Sequence, residues 1–156
     1  MKKSNLLHHW KTLKKISLNL CSKMLILLIS RPHLIPFIAI ATLETMRISD
    51  QKLENHTRHN KANGHKHALW NALISFHIQK FFLTPEAAVQ WTKKITDMHE
   101  ECFKNQPDAK QMDLDNNEIG RNVYVKTYHE FNKRPKKKIL LNRIADQQDN
   151  FIFLED

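Results

Sequence analysis

The 156-residue sequence has only 2 Gly, 5 Pro and 2 Cys, and each scarcity excludes a class of protein. Few Gly and Pro mean few tight corners, so a β-sandwich built from short strands has nowhere to turn. Cys21 and Cys102 form no CxxC pair, which argues against a disulfide framework and a zinc knuckle and fits a reducing compartment. No low-complexity tract and no repeat at solenoid spacing is present. Long apolar runs are missing too. Met24 to Ile29 stops at Arg31, Pro32 and His33, and Leu34 to Leu43 stands apart, so neither reaches the ~20 residues of a spanning helix. The basic start MKKSNLLHHWKTLKK ahead of MLILLIS imitates a signal peptide, but no small-x-small cleavage pattern follows closely. A cytoplasmic location is expected, with the apolar N-terminal stretch forming a buried helical hairpin or lying on a membrane surface.

What is present points to helices. With 41% hydrophobic residues and a length suited to one core, the chain reads as an all-α, single-domain bundle of five to six helices with a short extended C-terminal tail. Three parts are expected within it: an N-terminal hairpin over 1–48, a core over 60–121, and C-terminal helices and tail over 122–156. Pro32 and Pro36 break the first two helices apart, and Leu34 to Leu43 is expected to pack on the helix bearing Trp91. Asp50 to His67 reads as a His-rich polar connection, with Asn60 or Asn63 as N-cap of a helix that runs to about 82. Thr84-Pro85 restarts a helix whose apolar stripe is Ala88, Trp91, Ile95, Met98 and Cys102. Residues 105–115 are expected as a loop. Asp115 and Glu118 then form a capping-box pattern for a helix through Ile119, Val123 and Phe131. Gly120 inside that helix costs ~1 kcal/mol relative to Ala, which suggests close packing. Lys133 to Lys138 ends it, and a short helix Ile139 to Ala145 follows.

The charge is one-sided, 25 basic residues against 16 acidic, a formal +9. Attraction to phosphate-rich surfaces follows on electrostatics alone, and a nucleic acid, an anionic membrane or an acidic partner would satisfy it equally.

Three successive segments carry chemistry: His67, the pair His99-Glu100, and the acids Asp113 and Asp115. Imidazole and carboxylate are the usual ligands of divalent transition metals, and antiparallel helices can bring such segments together. The expected ligands are His67 and His99 with Asp113 or Asp115. The order His, His-acid, Asp on helices is loosely like that of HD-type phosphohydrolases. Each residue also has a plainer reading, His as a hydrogen-bonded core residue, Asp115 as a cap, and Asn116-Asn117 as turn chemistry.

The segments NKANGHKHALWNAL, AVQWTKKITDMHE and MDLDNNEIGR also resemble the signature segments of an uncharacterised bacterial helical domain family. Its members typically read RHAxWN, then HE, then MDLxNNxxGR, and occur as stand-alone proteins and at the C-termini of polymorphic toxins. The resemblance, which covers about 60–121, marks Asn63, His67, Trp70, Asn71, His99, Glu100, Asp113, Asn116, Asn117, Gly120 and Arg121. Lys66 stands where the family has Arg, Gly64 where it has Ala, and His65 where it has Phe. The toxin setting implies a hydrolytic activity.

Together these readings describe a metal-dependent hydrolase of a phosphate-containing substrate. Glu100 is the expected general base, and Lys66 and Arg121 the groups that hold the anion. The alternative is a non-catalytic helical module that binds a membrane surface or a protein partner.

Overall fold

A computed structural model describes residues 22–52, 61–102 and 106–153. Among these residues there are six α-helices, two 3-10 turns and no strand: α1 Ser22–Ser30, α2 Ile35–Lys52, α3 Lys61–Ile78, α4 Pro85–Cys102, α5 Pro107–Phe131 and α6 Lys137–Ala145. The all-α expectation holds.

Local signals account for most of the boundaries. The 3-10 turn Pro32–Leu34 separates α1 from α2 and bends the chain by 94°. Thr84 starts α4, its hydroxyl accepting the Ala87 amide at 3.3 Å, with Pro85 at the first position and Glu86 in the first turn. Pro107 and Asp108 start α5, and Asn132, in a left-handed conformation at φ 50°, ends it.

Two expected boundaries are corrected. Helix α3 begins at Lys61, so Asn63 is helical and buried rather than a cap; Asn60, His56 and His59 lie outside the described residues. Helix α5 begins at Pro107, so Asp115 lies well inside it and no capping box forms at Asp115 and Glu118. The acid and amide run is one face of a continuous helix. Ala109, Met112, Asp113, Asn116, Asn117, Gly120, Arg121, Tyr124 and Thr127 recur at steps of three and four and are all buried.

Helix α3 is the axis of the bundle, packed by α2, α4, α5 and α6. Its closest crossing is with α5, where a Cβ on Gly120 would stand 2.0 Å from the Ala68 carbonyl oxygen, so only glycine permits the approach. The apolar core gathers Leu34, Leu69, Leu73, Ile74, Ile78, Tyr124, Leu140 and Ile144 around this axis. Leu34 to Leu43 lies against α3, with Trp70 Nε1 donating to Thr42 Oγ1 at 2.9 Å, and it is α1 that packs on the Trp91 helix. The reason is in α2 itself: its buried residues Ala41, Thr45 and Ser49 are small, which suits close contact with a central helix. Cys102 is disulfide-bonded, which removes the argument for a reducing compartment.

Candidate metal centre

Beside the apolar core, three helices turn polar rows toward one another. Asn63, His67 and Asn71 are spaced by four on α3, Asp113, Asn117 and Arg121 by four on α5, and Thr92, Thr96 and Glu100 by four on α4. All nine are buried.

At one end of this cluster, the ligand atoms of His67, Glu100 and Asp113 lie within 4.8 Å of one another. His67 Nε2 is 3.2 Å from Asp113 Oδ1, and His67 Nδ1 is 3.6 Å from Glu100 Oε1. Two ligands about 2.1 Å from a shared ion stand roughly 3.0–3.4 Å apart in octahedral or tetrahedral geometry, so the His67–Asp113 spacing fits cis ligands. Asn63 Nδ2 donates to the same Asp113 Oδ1 at 3.0 Å and helps to fix that carboxylate.

The direction of the hydrogen bonds is set from Arg121, because a guanidinium can only donate. Arg121 Nη1 donates to Asn71 Oδ1 at 2.9 Å, and Thr96 Oγ1 donates to the same oxygen at 3.0 Å. The Asn71 amide nitrogen must therefore face the other way, donating to the His67 carbonyl at 3.1 Å and to Asn117 Oδ1. Asn117 Oδ1 is thereby an acceptor, and its Nδ2 points to Glu100 Oε1 at 3.4 Å. His67 Nδ1 lies 3.3 Å from that accepting oxygen and so carries a hydrogen. Its lone pair is left on Nε2, facing the Asp113 carboxylate. Two electron-rich atoms 3.2 Å apart repel unless a positive charge joins them, either a proton on Nε2 or a metal ion.

The electrostatics agree. Burial, then the neighbouring Asp113, pushes the Glu100 carboxyl up to about 7. Burial also lowers the Lys66 ammonium, against the pull of Asp113 and Glu100, which places Lys66 as the cation flanking the pair. His99 is pushed down to about 4 by burial and then by Lys66.

The sequence model of a family described as a domain of unknown function (DUF6973) matches residues 25–150. The chain belongs to this family. No curated protein and no solved structure matches it. The matched span contains every member of the polar cluster.

Within this DUF6973 domain the structure gathers some of the expected residues and separates others. His67, Glu100 and Asp113 converge, with Asn63, Asn71, Asn117 and Arg121 around them. His99 stands outside the converging three, its ring edge-on to Trp70 with centroids 5.0 Å apart. Asp115 also stands outside, half-buried and accepting from Gln111 Nε2 at 2.8 Å. Asn116 is occupied elsewhere, its side-chain amide pairing with both backbone groups of Ile152 at 2.7 and 3.0 Å, and so holds the C-terminal segment against α5. Arg121 is buried in the network. Thr96 was missed by the sequence reading, as was Thr92, which accepts from Ser75 Oγ at 2.9 Å. The available signal was their spacing of four ahead of Glu100.

A buried group with one imidazole and two carboxylates, held rigid by directed amides, could hold a divalent cation.

Proposed function

We propose that this chain is a metal-dependent hydrolase acting on a phosphate-containing substrate, with His67, Glu100 and Asp113 as the ligands of a divalent cation. One observation carries the reading: the network fixes a hydrogen on His67 Nδ1 and leaves Nε2 facing Asp113 across 3.2 Å. A proton on Nε2 or a divalent cation would join the two groups, and the nearby Glu100 carboxylate favours the cation. Glu100 Oε1 lies 3.6 Å from His67 Nδ1 and its ligand atom within 4.8 Å of those of the other two, so in this reading its role shifts from the separate base expected from sequence to a ligand. His67, Glu100 and Asp113 would hold the cation, which when bound would supply a water of lowered pKa and polarise a phosphoryl oxygen. Lys66 is the cation beside the two carboxylates and takes the anionic group of the substrate. Arg121 acts on the site through Asn71 and Asn117 and positions the ligands rather than the substrate.

A second reading has its own support, because His67, Glu100 and Asp113 are only 7%, 3% and 3% exposed. Such burial suits a cluster that holds the bundle together without turnover.

Metal content of the purified chain, titration with zinc, manganese and magnesium, and hydrolysis of phosphodiesters, nucleotides and phospholipids separate the two. The hydrolase reading expects metal-dependent turnover that His67→Ala and Glu100→Gln both abolish together with metal binding. Metal binding that raises the unfolding midpoint with no turnover on any substrate supports the structural reading. Absence of metal binding in the parent chain overturns the hydrolase.

A further inference from the structure

A different part of the chain carries a second site. We propose that the bent pair α1–α2, together with the turn at 79–84, docks the protein onto an anionic lipid surface, lying on the membrane rather than crossing it.

Helix α1 is apolar on both sides. Met24 is buried inward while Leu25, Ile26 and Ile29 point outward, Ile26 being 69% and Ile29 62% exposed. A helix on the surface of a water-soluble domain normally turns polar residues outward. The same character continues along α2 through exposed Ile35, Ile40 and Leu43. The turn after α3 adds exposed Phe81 and Leu83, the latter 100% exposed. The Phe81 ring, 5.2 Å from the His33 ring and 5.0 Å from that of Phe37, joins the turn after α3 to the corner between α1 and α2. Contiguous exposed apolar area of this kind marks an interaction site.

Charge selects the partner. The first 43 residues contain Lys2, Lys3, Lys11, Lys14, Lys15, Lys23 and Arg31 and no acid at all, whereas the other 18 basic residues nearly match the 16 acidic ones. The first acid, Glu44, is paired with Lys137 at 2.8 Å and hydrogen-bonded to His77 at 3.1 Å. The Lys137 contact brings the run Lys133 to Lys138 to the border of the same face, and Lys80 lies 3.8 Å above the Phe37 ring. An apolar face rimmed by one sign of charge matches the interface of an anionic bilayer, where each basic residue near the surface adds about 1 kcal/mol. A second copy of the chain fits poorly, because a two-fold contact would set the basic rims against each other. Lying on the surface suits this pair better than crossing, although the two helices together have the length and composition of a broken span. No single described helix is long and apolar enough, the pair turns by 94°, and Met24, Leu34 and Ala41 are buried against the domain.

The test is flotation of the full chain with vesicles of phosphatidylcholine alone and of phosphatidylcholine with phosphatidylglycerol, at about 0.1 and about 0.5 M salt. Binding should require the anionic lipid and weaken with salt. Substituting Ile26→Ser, Ile29→Ser and Leu83→Ser together, all at exposed positions, should lower partitioning by about tenfold or more, with circular dichroism unchanged. A second variant, Lys136→Gln with Lys138→Gln, should weaken binding to anionic vesicles through the rim alone. No flotation of the parent chain, equal flotation with neutral vesicles, or undiminished binding by the triple variant overturns the proposal. So does a dimer seen by sedimentation velocity that the triple variant dissociates, because the face would then belong to self-association.

Discussion

Glu100 makes the metal-free protein sensitive to pH in a direction opposite to ordinary acid denaturation. Its carboxyl ordinarily ionises near 4.5 and is held at about 7 in the folded chain by burial and by Asp113. Between those values the folded state keeps a proton that the unfolded state has lost, so stability falls as pH rises. The contribution is fully present below about 4.5 and gone above about 7. The gap corresponds to ~3 kcal/mol at 1.36 kcal/mol per pH unit, a large share of the stability of a domain of this size. Urea unfolding with chelator present, at pH 5, 6, 7 and 8 (roughly the window of this titration), should show a declining midpoint for the parent chain. Glu100→Gln keeps the shape and cannot ionise, so it should flatten that decline and be more stable than the parent at the alkaline end. Added divalent metal should restore the parent there and leave Glu100→Gln little changed. If Glu100→Gln is the less stable protein at pH 8 and keeps the parent's slope, the carboxylate is not under strain, and the case for a cation site beside it goes too.

Further perturbations probe the scaffold around the cluster. Gly120→Ala drives a methyl to 2.0 Å from the Ala68 carbonyl, a backbone atom that moves only if α3 and α5 separate, and urea unfolding should show a loss of about 3 kcal/mol. Asn116→Ala removes both hydrogen bonds to Ile152 and should cost about 1–2 kcal/mol, with limited proteolysis reaching the C-terminal segment sooner. Arg121→Lys keeps the charge but loses the planar donor that orients Asn71. Titration calorimetry should show metal affinity reduced by about 10–100-fold with the fold retained.

The fold class was legible because it depends on backbone punctuation. Scarce glycine and proline, the break at Pro32, and the restart at Thr84-Pro85 all act locally, and the structure uses them as the sequence implies. The start of α5 was misread for a physical reason. Asp113, Asn116, Asn117 and Arg121 sit on the inward stripe of that helix at helical spacing, but a search for periodic apolar residues sees polar ones as loop. The same blindness hid Thr92 and Thr96, whose hydroxyls bond across to α3. His99 and Glu100 illustrate a different limit. Neighbours on a helix point about 100° apart, so the two cannot face one point, and nothing in a single sequence says which turns inward. The structure turns Glu100 into the cluster and lays His99 against Trp70.

Stability alone is a poor explanation for this interior. Side-chain networks of buried charges and amides are often no better than apolar residues of the same volume, and removal of one member leaves its partners unsatisfied. Here Arg121, Asp113, Glu100 and His67 are all nearly inaccessible, and Arg121 orients Asn71, Asn71 orients Asn117, and the Asn117 oxygen accepts from both Asn71 and the imidazole. Leucine and alanine already fill the other side of α3 at no such risk. A directed chain that ends on a fixed imidazole tautomer has a use when the far nitrogen must present its lone pair. A cation held by His67, Glu100 and Asp113 would give such a network a use that packing alone does not.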